Sequence, residues 1–315
     1  MKIRVLQAVS GPIPVTELGL VLPHEHLFTD LRGPDTPGYA VGDPEVVADV
    51  MEPFLQEAFN AGVTALVECS TGGVGRNIPV LKRLSTLTPI KIIAPTGVYR
   101  EAYVPASYRN TSVEDLAQEW IEDLTIGIAD TGVKAGFIKI AMSDDGPTEL
   151  EVRNLRAAAA ASKVTGAAVA SHTVSGSVAL REMDILEGSG MNLTRFVWVH
   201  ANAEPDQKIH FEVARRGGFV EFDGIGQSEQ GDENQLGYTL SMVEGGYEKN
   251  ILLSHDAGWY DPSHPEGKPS EQGIRGFTAL ISRFIPALRQ RGIPESLVRL
   301  MTQTNPARAF GLELR

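Results

Sequence analysis

The chain is poor in cysteine, in cations and in long apolar runs, and each shortage closes off a class of function. A single cysteine, Cys69, among 315 residues excludes an internal disulfide and a thiolate metal cluster. Twenty-eight lysines and arginines stand against forty aspartates and glutamates, a formal net charge of −12. That balance argues against nucleic acid and against an anionic membrane surface, both of which require clustered cations. No run approaches the roughly 18 apolar residues of a membrane span. No apolar core of signal-peptide length follows Met1-Lys2-Ile3-Arg4, so a cytoplasmic protein acting on a small molecule is expected. Low-complexity stretches and fixed-period repeats are missing as well. What is present is a hydrophobic content of 42%, ample for a large core.

Short apolar runs alternate with helical patterns. The runs are Gly19–Leu22, Thr64–Val67, Lys91–Ala94, Gly136–Ile140, Ala167–Ala170, Arg195–Val199, Gly218–Phe222 and Asn250–Leu253. Several are continuously apolar and rich in Val and Ile, as strands buried on both faces are. Helical spacing covers Pro44–Ala61, Ser112–Gly132, Glu149–Thr165, Asp206–Arg216 and Phe277–Gln290. Alternating strands and helices imply parallel pairing with right-handed crossovers. Eight such units predict an α/β fold, a (β/α)8 TIM barrel forming a single domain over residues 1–315. An open doubly wound sheet is the competitor. It would carry a glycine-rich phosphate turn after its first strand, where this chain reads Pro23-His24-Glu25-His26.

A barrel builds its active site at the C-terminal ends of its strands. Those positions hold His24 and His26, Cys69, Lys139, His172, His200, Asp223 and Asp256, which takes in four of only seven histidines. His24 and His26 share one strand face because side-chain direction has period two, and paired neutral imidazoles suit a divalent metal. Taken singly, His172 and His200 read as hydrogen-bonded core histidines, and Asp256 as a helix N-cap. His255, facing opposite Asp256, reads as structural. Lys139 lies inside an apolar strand, where an amine must be neutralised, paired or chemically modified. A buried salt bridge, a metal-bridging ligand and a Schiff-base nucleophile all remain open for it.

The motifs Pro23-His24-Glu25-His26-Leu27, Glu68-Cys69-Ser70-Thr71, Pro95-Thr96-Gly97-Val98-Tyr99, Lys134-Ala135-Gly136-Phe137-Ile138-Lys139-Ile140, Ser171-His172-Thr173, Val199-His200-Ala201-Asn202, Glu221-Phe222-Asp223-Gly224-Ile225-Gly226 and Leu253-Ser254-His255-Asp256 occur in order. Together they resemble the phosphotriesterase-related branch of the amidohydrolase superfamily, which includes phosphotriesterase-like lactonases. The resemblance runs from about residue 10 to Asn305–Phe310. It implies two divalent metals, zinc first and manganese or cobalt as alternatives. His24, His26 and Asp256 would hold the buried metal, and His172 and His200 the exposed one. Lys139, carrying CO2 as a carbamate, would bridge both. The implied chemistry is attack by a metal-bridging hydroxide on a lactone or ester carbonyl, with Asp256 moving the proton. Phosphotriester hydrolysis would be a side reaction and amide hydrolysis of an N-acyl amine the alternative. The family often forms dimers, which makes a homodimer an expectation.

Two positions depart from the pattern. Many relatives read His-x-Asp where this chain has His200-Ala201-Asn202, and many lactonases carry arginine where Gly224 follows Asp223. Substrate contacts are expected from Tyr99 and from the loop after strand 8, through Trp259, Tyr260, Lys268 and Arg275, with His264 nearby. A metal-free lyase using Lys139 as a Schiff base would leave the four histidines and Asp256 unexplained. A non-catalytic binding protein would normally have lost a metal ligand, and none is missing.

Overall fold

A computed structural model describes residues 4–313. Eight parallel strands form a closed (β/α)8 barrel: Leu20–Phe28, Val63–Glu68, a third in two pieces (Lys91–Ile93 and Pro95–Thr96), Phe137–Ala141, Val169–His172, Phe196–Val199, Phe219–Phe222 and Ile251–Leu253. Each coincides with a predicted apolar run. The first continues six residues further than predicted, through Pro23 and both histidines, with the register shifting between Leu22 and Glu25. The third breaks at Ala94, ahead of a proline that has no N–H to donate. Its first half pairs with the second strand and its second half with the fourth.

Closure joins the first strand to the end of the eighth. Gly258–Tyr260 pairs in parallel with His26–Phe28, the Asp256 N–H donates to His24 O at 3.2 Å, and the His26 N–H to Ala257 O at 2.9 Å. Glu25 fastens this seam. Wholly buried, its carboxylate accepts from His255 Nδ1 at 2.6 Å, from the His255 and Ala257 N–H groups at 3.2 and 3.1 Å, and from the Ser254 hydroxyl at 2.8 Å. His255 Nε2 in turn accepts the Leu280 N–H at 2.9 Å, which makes its ring a neutral, structural bridge facing away from Asp256.

Inside the barrel, Val21, Val67, Ile93, Phe137, Val197 and Phe219 belong to one core cluster, and Leu6 and Phe310 plug it from below. Leu6 comes from a hairpin, Arg4–Ala8 with Gly11–Pro14, to which Leu312–Glu313 pairs, and Phe310 from the helix Asn305–Phe310. The lower end is thereby sealed, leaving the upper end free for chemistry.

Helices Pro44–Asn60 and Glu149–Thr165 match their predicted spans. Asp43 caps the former; the latter has a Thr148/Glu151 capping box and a left-handed Gly166 stop. The pattern over Ser112–Gly132 gives a helix only to Thr125, followed by a short 3₁₀ turn at Ala129–Thr131. Phe277–Gln290 becomes a π-turn over Leu280–Phe284 and an α-helix from Ile285, the widened turn falling where Pro286 cannot donate. Helices Ile78–Leu87, Gly176–Gly188 and Glu229–Glu244 were not predicted. Among the described residues no helix is long and apolar enough to cross a membrane.

Replacing Glu25 with alanine strands three buried N–H donors. The expected loss is about 3 kcal/mol or more in urea unfolding; a loss below about 1 kcal/mol would show that the seam does not depend on this carboxylate.

Candidate metal centre

Strand alternation sends His24, His26 and Lys139 into the barrel, and the ends of the fifth, sixth and eighth strands bring His172, His200 and Asp256 above them. All six line a cavity of about 150 Å3, open at its mouth. Asp256 Oδ1 lies 3.4 Å from His24 Nε2 and 3.1 Å from His26 Nε2, and these three residues offer ligand atoms all within 4.8 Å of one another. The His172 and His200 rings meet edge to face with centroids 4.4 Å apart, and His200 lies 5.0 Å from His24.

Holding side chains in these positions strains the backbone. His200 and Asp256 adopt φ of +65° and +49°, in the left-handed region that side chains rarely enter. Gly97 is required for the opposite reason. A Cβ there, at φ +103°, would lie 2.2 Å from the Lys139 carbonyl oxygen, so only glycine lets the third strand close on the fourth at the lysine.

A surrounding layer orients the rings. His200 Nδ1 lies 2.8 Å from Asp223 Oδ1, and its backbone N–H donates to Asp223 Oδ2 at 2.9 Å. His26 Nδ1 meets Ser70 Oγ at 2.8 Å, backed by Thr29 at 2.7 Å, and both rings keep Nε2 for the cavity. His172 Nδ1 is 2.9 Å from Tyr99 Oη. Asn202 accepts the Asp223 N–H at 3.1 Å through its Oδ1 and so steadies that carboxylate. A Cβ at Gly224 would come within 2.8 Å of Asn202 Nδ2, so any larger residue there requires that amide to shift.

Burial and the nearby Lys139 amine push the His24 pKa down to about 3. Burial, with His200 beside it, holds His172 well below the usual imidazole range. Burial opposes the charged form of His200 too, but Asp223 outweighs it and the pKa rises. For Asp256 burial is outweighed by hydrogen bonds from His24 and His26, which keep it a carboxylate. Burial and then Asp223 push Glu221 well up, and burial raises the Cys69 thiol, leaving a cavity wall without thiolate character. Lys139 is 1% exposed, and its Nζ has no hydrogen-bond partner. The set is thus a cluster of imidazoles, one carboxylate and an unpartnered amine, a donor set suited to divalent cations.

Of the expected substrate contacts, Tyr99 and Trp259 line the cavity, Trp259 with its ring edge-on to His26. The other three do not. Tyr260 stacks flat on Phe28 and fills the space a side chain at Gly267 would need. Lys268 is exposed and paired with Glu266. Arg275 Nη2 donates to the carbonyls of His255 and Asp256, so it braces the backbone of the eighth strand end. Alternation and composition marked these residues as candidates, but a loop has no period from which to read direction. Leu31 and Val74, which do line the cavity, carried no sequence signal for the same reason. Glu221 was legible: it lies two residues before Asp223 and therefore on the same strand face.

A model of the phosphotriesterase family matches residues 4–310. A phosphotriesterase homology protein of Mycobacterium tuberculosis is 30% identical over 97% of both chains. An N-acetyltaurine hydrolase of Xenopus tropicalis is 26% identical over 96% of both. Among solved structures, one from the engineering of organophosphate hydrolysis out of a weak promiscuous lactonase is 30% identical, with a TM-score of 0.87 over 98% of this chain and 100% of that one.

Behind His172, Glu182 is wholly buried and accepts the Thr173 hydroxyl, and burial lifts its pKa to about 8. Folded Glu182 therefore holds a proton that the unfolded chain releases near 4.5. Its contribution to stability is present at low pH and is lost as pH rises toward 8. Glu182→Gln should flatten this dependence: between pH 5.5 and 8.5 the wild type should lose about 3 kcal/mol more unfolding free energy than the variant. Parallel pH profiles would rule out the protonated carboxyl.

Proposed function

The chain belongs to the phosphotriesterase family, and from that premise we propose that it is a binuclear metal-dependent hydrolase. Its substrates are lactones or related esters, with slower action on phosphotriesters. The observation that carries this reading is Lys139 Nζ, buried without a partner in a cavity lined by four histidines and Asp256. An unmodified ammonium there would be buried with no hydrogen-bond partner, which is costly. Addition of CO2 to the neutral amine, with loss of one proton, converts it into an anionic carbamate able to bridge two cations. The donor set therefore fits the metals that the family implies. His24, His26 and Asp256 would hold the buried ion, His172 and His200 the exposed one, and the Lys139 carbamate both. Zinc suits these ligands best, and manganese or cobalt would serve where more available. Bound there, the two ions polarise the scissile oxygen and make hydroxide accessible near neutral pH.

The protein's own groups supply the rest. The Asp256 side chain remains 26% exposed at the mouth, so it can accept a proton and deliver it to the leaving alkoxide. Trp259, Leu31 and Val74 give the cavity an apolar wall for a ring or acyl chain. Tyr99 presents its hydroxyl beside His172, where a carbonyl substituent can be oriented. A flat carbonyl and a tetrahedral phosphoryl centre make the same demands on this site, which accounts for activity on both. The N-acetyltaurine hydrolase relatives favour a second reading, cleavage of an N-acyl amine, in which Asp256 protonates the leaving nitrogen.

Protein purified without chelator should contain about two metals per chain and hydrolyse one class in a screen of γ- and δ-lactones, N-acyl amines and an aryl phosphotriester. No metal and no turnover after reconstitution with zinc or manganese plus bicarbonate would overturn the proposal. Asp256→Asn should retain metal while turnover falls about 100-fold or more; near-normal turnover would remove Asp256 from proton transfer. Lys139→Ala should lose metal and activity together, with partial recovery on adding a short carboxylate and metal. Retention of both metals would contradict the carbamate bridge.

A further inference from the structure

Two buried groups that this mechanism leaves unused face each other below the centre. Glu221, on the seventh strand, is wholly buried, and neither of its carboxyl oxygens has a hydrogen-bond partner. His24 Nδ1 is also buried and unpartnered, and lies 3.5 Å from Glu221 Oε2. It is equally 3.5 Å from Asp223 Oδ2, but Asp223 is already committed. Its Oδ1 takes the His200 ring and its Oδ2 the His200 backbone N–H. No ion pair within 4 Å joins Lys139 to Glu221 among the described residues, so the lysine makes no hydrogen bond to this carboxyl. Two carboxyl groups two residues apart thus face two imidazoles, and only the His200–Asp223 pair is made.

We propose that Glu221 is the positioning residue for His24: it accepts the Nδ1–H, fixes that tautomer and directs the Nε2 lone pair at the buried metal beside Asp256. The inference rests on the metal-centre reading above. A ring that ligates through one nitrogen needs an acceptor on the other, and loss of such a partner typically weakens metal binding 10- to 100-fold. Protonated or not, a carboxyl at Glu221 offers an acceptor oxygen to this N–H. The gap of 3.5 Å lies at the limit of a hydrogen bond, and a small rotation of the ring toward Glu221 would make one. Asp223 performs the same service for His200, so each metal has its own buried carboxyl.

The test uses full-length protein loaded with two equivalents of zinc and titrated with a competing chelator, together with the imidazole N–H proton spectrum. Glu221→Leu should weaken one of the two metals 10- to 100-fold, leave the other within about twofold, and abolish the His24 N–H resonance. The metal-free leucine variant should melt no lower than the metal-free wild type, since an apolar group replaces an unpaired buried carboxyl. A merely structural role would give the reverse, lower stability with unchanged affinity. Glu221→Gln keeps an acceptor oxygen and should restore most of the affinity while shifting the N–H resonance; should the leucine variant fail to fold, an unshifted resonance in Glu221→Gln overturns the assignment. Equal affinity of both metals in wild type and Glu221→Leu overturns it. So does a third equivalent bound by wild type and lost in Glu221→Leu, because His24, Glu221 and Asp223 would then be ligands themselves. A wild type that takes up no metal overturns the metal-centre reading and this inference together.

Discussion

The seam between the first strand and the end of the eighth is the constraint on which the rest of this molecule depends. Around it the backbone is short of regular ladder bonds: the first strand slips register near Glu25, and the eighth strand pairs with it only after Asp256 has turned through a left-handed φ. Glu25 compensates by accepting from three backbone or ring N–H groups at once. Because side chains alternate, fixing Glu25 outward fixes His24 and His26 inward. Because the same carboxylate holds the N–H groups on both sides of Asp256, it also sets where Asp256 stands. Arg275 braces the other side of that turn through the carbonyls of His255 and Asp256. The geometry of half the centre is therefore determined by hydrogen bonds that no substrate touches.

The other half is set from the fourth to the seventh strands, by a different device. Each ring has a fixed partner behind it, Asp223 for His200 and Tyr99 for His172, and each partner has its own support. Asn202 shows the principle. Its amide is uncharged yet offers an acceptor, and that acceptor holds the Asp223 N–H. At Gly224 a Cβ would approach the Asn202 amide to 2.8 Å, so a larger residue there would require that side chain to shift. Tyr99, Trp259, Leu31 and Val74 line the cavity beside the histidines. Such a wall selects by shape and apolar area, which discriminates weakly between ligands of similar size.

How much of this was legible in the sequence follows from periodicity. All eight barrel strands appeared as apolar runs, since strands buried on both faces must be apolar along their length. The inward side chains at their ends could then be counted off, which brought His24, His26, Lys139, His172, His200 and Asp256 together before any coordinates. The same rule would have flagged Glu221 two residues before Asp223. Legibility ended at the loops. Lys268, Tyr260 and Arg275 were plausible by chemistry, yet a loop has no repeat that fixes direction, and they turn to solvent, to Phe28 and to backbone carbonyls respectively. Helix Gly176–Gly188 was invisible because it begins and ends in glycine and owes its place to packing. The N-terminal hairpin was invisible because its partner, Leu312–Glu313, lies at the far end of the chain.

The proposed chemistry requires that Lys139 act as an anionic carbamate between two cations rather than as an amine. Anomalous diffraction from crystals grown with zinc and bicarbonate reads this directly. Two anomalous peaks roughly 3.5–4 Å apart are expected, with density for a carboxylate extending from Lys139 Nζ between them. One peak or none, with a bare lysine amine in the cavity, would contradict it.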